Sequence, residues 1–457
     1  MITPPEAWLH LPLPELLSRL FGSHLPATLC DSMVQDRRYR FLRTQPLHFS
    51  AIKRALREQQ TPYSVLFEER PALPFATALA LEPRPYQEEA LACWLAEGSA
   101  GVVVLPTGSG KTFVAAMAIH ETALWTLVVV PTIDLLQQWR GALASALALN
   151  VDDIGLFGGG AKDLKPITII TYDSAALYPR ELRHFGLLIF DECHHLPAPT
   201  YRLIAESAFT PLRLGLSATP ERSDMAHVEL DELIGREVYR RLPAELTEGR
   251  YLAEYEEQRI EVALSSEDEA RYAEQRRIYR SFLQRRRIVI NSPEDFQHKL
   301  IYMSARDSEA RAAMLAWREA RAIAMNAPAK YAEIERLLHL HARDMVILFS
   351  EYNYVVDEIS RRFCIPSITY KTPAEERRII LERFRAGRYS KLVTGRVLNE
   401  GVDVPDCRVA IIVSGNSTRR EYIQRLGRVL RPKEGPALLY ELVTSGTTEE
   451  EMARRRK

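Results

Sequence analysis

The chain reads as an α/β protein with two parallel-sheet units, a small α/β module ahead of them and a helical insertion lying between them in sequence. Two patterns and the length predict this. Short β-branched and aliphatic runs, such as Thr126 to Val130 and Met345 to Ser350, are apolar at successive positions, as strands covered on both faces of a parallel sheet must be. Helix-length stretches alternate with such runs from Leu79 to about Gly235 and again from Met345, the spacing of right-handed strand–helix–strand crossovers. At 457 residues the chain exceeds the ~250–300 residues at which one core stops growing, leaving room for about three compact units.

Composition narrows the function classes. Sixty Lys+Arg balance sixty Asp+Glu, so there is no global basic field, and any nucleic-acid site must be a local groove. Cys30, Cys93, Cys193, Cys364 and Cys407 are scattered without a Cys-x-x-Cys pair, which argues against disulfides, zinc and iron–sulfur clusters and for a reducing compartment. No apolar run reaches bilayer length and no charged-then-apolar leader follows Met1, so the expectation is a cytoplasmic protein with no membrane partner.

Residues 1–75 are expected to form the small module. A short strand-like run covers Tyr39 to Leu42, and Phe49 to Glu58 is expected as a helix. Ala51, Ile52, Ala55 and Leu56 fall on one face of that helix and basic residues on another. The basic face suits either DNA or solvent.

Residues 76–240 are expected to bind nucleotide. Val102 to Leu105 reads as a buried strand that opens into Pro106-Thr107-Gly108-Ser109-Gly110-Lys111-Thr112 and then a helix. Gly108 and Gly110 allow a tight turn whose N–H groups, with the helix N-terminus, form an anion cradle. Lys111 is placed to reach β/γ-phosphates and the Thr112 hydroxyl to hold Mg²⁺. The usual opening glycine of such a loop is Leu105 here. Upstream, Arg84-Pro85-Tyr86-Gln87 offers an amide suited to an adenine edge. Expected strands at Thr126–Val130, Ile167–Thr171, Leu187–Phe190 and Leu212–Leu216, and a helix at Ile133–Leu147, complete the unit.

Two acids, Asp191 and Glu192, follow the strand Leu187–Phe190. Ligands of such sheets bind at the carboxyl ends of strands, which brings both acids to the phosphates. Asp191 is expected to hold Mg²⁺ through its water shell and Glu192 to orient or deprotonate the attacking water. Cys193 reads as a packing residue, since nothing near it in sequence favours a thiolate. Ser217-Ala218-Thr219 follows the next strand and suits either a polar turn or a contact to a moving neighbour.

Residues 241–264 are expected as a connector into the second unit, with Glu261 to Leu264 closing a strand-like run, and 265–325 as the helical insertion. Glu267 to Ile288 reads as a long polar helix, and Glu309 to Ala324 as a second helix packed on it. Between Arg271 and Ile290 seven arginines face the single acid Glu274, with aromatic residues interleaved. Arg276, Arg277, Arg280, Arg285, Arg286 and Arg287 are the candidate DNA contacts, with a solvated hairpin as the equal alternative.

Residues 326–457 are expected as the second sheet unit, with strands at Met345–Ser350, Lys391–Thr394 and Val409–Val413 and no phosphate loop. It carries Glu400-Gly401-Val402-Asp403 and an expected helix, Arg419 to Leu430. Gln424, Arg428 and Arg431 are spaced to share one face. Two guanidiniums from a separate domain are what a transferring phosphoryl group needs, and such an arginine finger contributes ~10³–10⁵ in rate.

The ordered set Gln87, Thr107 to Thr112, Pro131-Thr132, Asp191 to His194, Ser217 to Thr219, Glu400 to Asp403 and Gln424 to Arg431 resembles the superfamily 2 helicases. Within them, Thr171-Tyr-Asp-Ser174, His194-His-Leu-Pro197, Gly215 to Thr219 and the tail Ala453-Arg-Arg-Arg-Lys457 are similar to the xeroderma pigmentosum group B (XPB) helicases of archaea and bacteria. The resemblance runs from about Arg84 to the end and is loose over residues 1–75. It implies two RecA-like domains holding ATP and Mg²⁺ between them and a thumb-like insertion at roughly 265–325. It also implies a damage-recognition module at 1–75, 3′→5′ movement on DNA in nucleotide excision repair, and a partner nuclease. By the same resemblance, Arg84, Gln87, Gly401, Asp403 and Gln424 bind nucleotide beside the phosphate loop. Ser217, Ala218, Thr219, Arg222 and Asp224 couple hydrolysis to movement. The family's Arg-Glu-Asp tripeptide, associated with duplex unwinding, is here Arg222-Ser223-Asp224, a departure that bears on strand separation more than on ATP hydrolysis.

The expected activity is therefore an ATP-driven DNA helicase or translocase. An RNA helicase shares the Asp-Glu-x-His box and is the rival within the class; a DNA-binding scaffold switched by ATP is the rival outside it. Glu192 and the paired arginines argue against the scaffold, because a switch needs no water-orienting carboxylate.

Overall fold

The computed structural model describes residues 13–21, 33–36, 41–62, 71–221, 224–242, 245–246, 255–290, 293–395, 407–414 and 437–455. These fall into two compact units, Met1–Leu246 and Thr247–Lys457.

The first unit opens with the small module. Helices Leu13–Phe21 and Phe49–Glu58 and the antiparallel pair Val34–Asp36 and Phe41–Arg43 enclose a core of Leu16, Leu20, Phe21, Leu42, Ile52 and Leu56. A 3₁₀ turn, Pro46–His48, connects it to the larger sheet domain, with Leu47 packed against that domain's core. The large sheet has the order Glu237–Arg240, Ala100–Val104, Leu212–Ser217, Leu187–Asp191, Thr126–Val130, Ile167–Thr171, Ile154–Gly158, Ala161–Lys162. All pairs are parallel except the last. The central strands are buried along their whole length, which accounts for their unbroken apolar runs. Helices Lys111–Thr122 and Ile133–Ala146 follow strands Ala100–Val104 and Thr126–Val130 as crossovers. Each therefore begins at the carboxyl end of the sheet, the end at which Asp191 closes its own strand.

In the second unit six parallel strands run Tyr255–Val262, Ala437–Thr444, Val409–Ser414, Val346–Ser350, Lys391–Thr394, Ser367–Ile368. The stretch 241–264, expected as a connector, thus carries the edge strand of this sheet. The strand is polar because it is an edge, and its Arg259 donates to the buried Glu441 carboxylate at 2.8 and 2.9 Å.

Helix Ser266–Arg285 is capped by Ser265, whose hydroxyl accepts from the Asp268 amide, and carries three acids in its first turn. It packs against Ser308–Met325 through Tyr279, Phe282, Ala310 and Ala313 and, one layer along, Tyr272, Ala320 and Ala324. Tyr272, Tyr279 and Phe282 recur at i, i+7 and i+10, a narrow aromatic stripe on a helix otherwise polar. Deeper in this unit Lys330 and Glu449 form a fully buried pair, discussed below.

Among the described residues no helix is long and apolar enough to cross a membrane, and Cys93, Cys193, Cys364 and Cys407 form no disulfide.

Candidate active site

The loop Pro106 to Thr112 is held by bonds from its own residues and from the helix that starts at Pro85. Gly108 and Gly110 have φ of 83° and 84°, the left-handed region that only glycine occupies without strain. A Cβ on Gly110 would stand 2.5 Å from Gln87 Nε2 and displace the end of that side chain from the loop; it is the backbone conformation that requires glycine there. The Ser109 hydroxyl donates to the Pro106 carbonyl at 2.7 Å. The Ser109 carbonyl accepts from the Tyr86 hydroxyl at 2.5 Å and from Gln87 Nε2 at 3.0 Å. Lys111 Nζ donates to the Leu105 carbonyl at 3.2 Å, folding its charge back over the loop.

Across the loop stands Asp191. Burial first, and then the Glu192 charge, push its carboxyl up to about 7, while the Lys111 ammonium and a hydrogen bond from Trp139 pull it down. Lys111 and Asp191 therefore feel each other's charge. Glu192 has φ 47°, a strained backbone for a residue with a side chain. Its Oε2 lies 3.5 Å from His194 Nδ1 and is buried without a hydrogen-bond partner among the described residues. His194 Nδ1 is also 3.3 Å from Ser217 Oγ, which accepts from the Thr219 amide at 3.1 Å. Ser217 in turn offers its carbonyl to the Leu105 amide at 3.0 Å. Acid pair, Ser217-Ala218-Thr219 and phosphate loop are thus one connected network, in which Ser217 does more than close a polar turn. Cys193 is buried, and burial together with the two neighbouring carboxylates pushes its thiol well up, as a packing residue requires.

Gln87 departs from the simplest expectation. It is buried, with Oε1 accepting from the Arg84 amide at 2.9 Å and Nε2 donating to the Ser109 carbonyl at 3.0 Å and, more weakly, to the Gly110 carbonyl at 3.5 Å, so it braces the cradle and keeps one Oε1 lone pair for a base. Arg84 donates to the Tyr86 hydroxyl at 3.1 Å and belongs to the same brace. Thr107 Oγ1 and Thr219 Oγ1 are buried without partners among the described residues, polar atoms that a bound group would satisfy. The cradle, these atoms and the oxygen donors of Thr112 and Asp191 fit a nucleotide polyphosphate with a hard cation.

Sequence reasoning missed two residues here. Trp139 Nε1 donates to Asp191 Oδ2 at 2.9 Å, and the Tyr172 hydroxyl donates to the Asp191 carbonyl at 3.0 Å. No local pattern marks a partner 52 residues away.

In the insertion, the expected arginine cluster is partly neutralised. Arg277 pairs with Glu274, Arg285 with Glu309, and Arg286 with both Asp307 and Glu309. Arg276 lies 6.0 Å from the Tyr279 ring centroid. Arg280 and Arg287 are exposed and make no ion pair among the described residues. Gly401, Asp403, Gln424, Arg428, Arg431 and Arg222 lie outside the described residues. Asp224 accepts from the Ala226 amide at 3.1 Å, closing a local turn.

Comparisons with known proteins give the family. The family described as type III restriction enzyme, res subunit, matches residues 80–222, and the ERCC3/RAD25/XPB C-terminal helicase family matches 309–457. The DNA 3′-5′ translocase XPB2 of Sulfurisphaera tokodaii is 44% identical over 378 residues, covering 82% of this chain and 85% of the relative. The DNA 3′-5′ helicase XPB of Kineococcus radiotolerans is 31% identical, over 82% of this chain and 62% of the relative. In fold, the crystal structure of the Pyrococcus furiosus Hef helicase domain aligns with TM-score 0.56 at 19% identity, over 82% of this chain and 98% of that one. The two sheets are RecA-like domains, and the chain belongs to the XPB family of superfamily 2 helicases.

Proposed function

We propose that this chain is a DNA-dependent ATPase that moves 3′ to 5′ along a strand and opens or remodels DNA, in nucleotide excision repair. The observation that carries this reading is the meeting of a hydrogen-bonded glycine loop with Asp191 and Glu192 at the carboxyl end of one sheet, in a chain of the XPB family. Lys111 and the loop amides bind the polyphosphate, Thr112 and Asp191 hold Mg²⁺, and Glu192 orients the attacking water. Mg²⁺ supplies charge neutralisation of the phosphates when bound. Arg84 and Gln87, which brace the loop, receive the adenine edge beside it. Gly401, Asp403, Gln424, Arg428 and Arg431 contribute from the second sheet domain, the two arginines as phosphoryl-stabilising cations. The network through Ser217, Ala218 and Thr219, with Arg222 and Asp224, transmits hydrolysis to the DNA. Candidate contacts along the strand are Arg276, Arg277, Arg280, Arg285, Arg286 and Arg287, and the fate of the opened DNA suits a partner nuclease.

The test is directional clearance of a roadblock. On single-stranded DNA carrying streptavidin at one end, ATP should drive displacement from the 5′ end and not from the 3′ end, and Lys111→Ala should abolish it. Displacement from the 3′ end, or from neither, overturns the reading.

A further inference from the structure

Asp191 is positioned by an aromatic donor that belongs neither to the phosphate loop nor to the acid pair. Trp139 sits two turns into helix Ile133–Ala146, 3% exposed, and its indole N–H reaches Asp191 Oδ2 at 2.9 Å. The strand carrying Asp191 lies next to Thr126–Val130, the strand that feeds this helix. Tyr172 fixes the Asp191 main chain through its carbonyl, at 3.0 Å. Backbone and carboxylate are thus held from two different elements.

The chemistry of the donor matters. An indole N–H can only donate, and an ionised carboxylate only accepts. The bond therefore ties up one oxygen, removes the nearly two-fold freedom of the aspartate terminal torsion, and leaves Oδ1 turned in a single direction. Because Trp139 is neutral, it orients the carboxylate without cancelling the charge that attracts a cation. An arginine or lysine in its place would supply the bond and neutralise the charge together.

We infer that Trp139 is a positioning residue for hydrolysis, setting the direction in which Asp191 presents its oxygen to the Mg²⁺ of MgATP. The inference rests on the proposed ATPase reading. Partners of this kind typically change metal affinity 10–100-fold when removed.

The experiment uses the full chain with Trp139→Phe, which keeps an aromatic ring and loses the donor, and Trp139→His, which restores a ring N–H. Binding of a non-hydrolysable ATP analogue is titrated by calorimetry in EDTA and at graded Mg²⁺, beside steady-state turnover. In Trp139→Phe the Mg²⁺-free affinity should equal that of the unaltered chain. The half-saturating Mg²⁺ should rise roughly 10-fold and kcat should fall, with the KM for ATP at saturating Mg²⁺ unchanged and Trp139→His recovering part of the loss. An unchanged Mg²⁺ dependence, or an equal loss of Mg²⁺-free binding, overturns the inference. If Trp139→Phe does not fold, benzothienylalanine at 139, isosteric with indole and lacking the N–H, gives the same test. Lys111→Ala run in parallel separates the two levels: turnover surviving in Lys111→Ala sinks the ATPase reading, whereas its loss there with normal Mg²⁺ dependence in Trp139→Phe sinks only the role of Trp139.

Discussion

Replacing Lys330 by methionine should destabilise the second unit more than any surface change. Lys330 and Glu449 side chains are each 1% exposed. The ammonium donates to both Glu449 oxygens, at 2.8 and 2.7 Å, and to the Val413 carbonyl at 2.8 Å, using all three of its N–H bonds. Glu449 Oε2 also accepts from the Thr444 amide at 2.9 Å. Lys330→Met leaves a carboxylate in the interior with one main-chain donor and an unpaired carbonyl at Val413. Breaking a buried pair from one side costs about 3–5 kcal/mol. For a unit of this size each kcal/mol lowers the melting temperature by roughly 2–4 °C, so the expected drop is on the order of 6–20 °C. Urea denaturation of the full chain measures the free energy and a melting scan the temperature. Adding Glu449→Gln removes the stranded charge while keeping an acceptor for Thr444, and should recover most of the loss. A single-variant cost below about 1 kcal/mol, or a double variant no better than the single, would refute the argument. Val413 adjoins Ser414, the last residue of its strand, and the chain runs from there to Gln424, Arg428 and Arg431, so the same variant should lower turnover.

Three further outcomes are expected. Gly110→Ala should weaken ATP binding by about 10-fold or more, because a left-handed side chain costs roughly 1–2 kcal/mol before the contact with Gln87 is counted. Gly98→Ala, at φ 75° with nothing within 4 Å of its added Cβ, should leave ATP binding unchanged. His48 is pulled below its ordinary value by burial, with Glu232 and Glu206 opposing and Arg213 reinforcing the shift. The folded form therefore binds fewer protons, so the stability this neutral imidazole confers is present above about pH 6.5 and is lost as pH falls through the lowered value. Hydrogen exchange of the Phe49–Glu58 amides should accordingly be faster at pH 5.5 than at 7.5, after correction for intrinsic rates, and His48→Gln should flatten the difference. For DNA, Arg280→Gln and Arg287→Gln should each reduce the salt-dependence slope of single-strand affinity by about 0.7, whereas Arg277→Gln, already paired with Glu274, should leave the slope unchanged; a slope unchanged in all three variants would assign these arginines to the solvated face.

The sheet domains were legible because their strands are apolar on both faces: Thr126–Val130 and Ile167–Thr171 lie where the pattern puts them. The acids were legible because Asp191 closes such a strand. What escaped the sequence is long-range or mixed in character. The stripe of Tyr272, Tyr279 and Phe282 meets alanines, so neither helix shows the aliphatic periodicity that marks a packed face. Tyr255–Val262 is an edge strand rich in charge, so only its close at Glu261 to Leu264 reads as strand-like and its membership of the second sheet does not show. A local window around the arginine-rich helix saw only Glu274, while Glu309, Asp307 and Glu319 reach back from the neighbouring helix to Arg285, Arg286 and Arg271. Gln87 reads from sequence as a nucleotide-site candidate, yet its bond to the Ser109 carbonyl depends on packing that no spacing rule encodes. Ile154–Gly158 was hidden by its glycines; Gly155 is needed because a Cβ there would stand 2.4 Å from the Asp163 carbonyl oxygen.

Nucleic acid is expected to drive ATP hydrolysis at the Lys111–Asp191–Glu192 site. Steady-state hydrolysis should be measured with no nucleic acid, single-stranded DNA, duplex DNA, a forked duplex and single-stranded RNA, with Lys111→Ala as the blank. The account predicts strong stimulation by DNA, little by RNA, and none in the variant. Stimulation by RNA equal to that by DNA, or turnover that survives in Lys111→Ala, would contradict it.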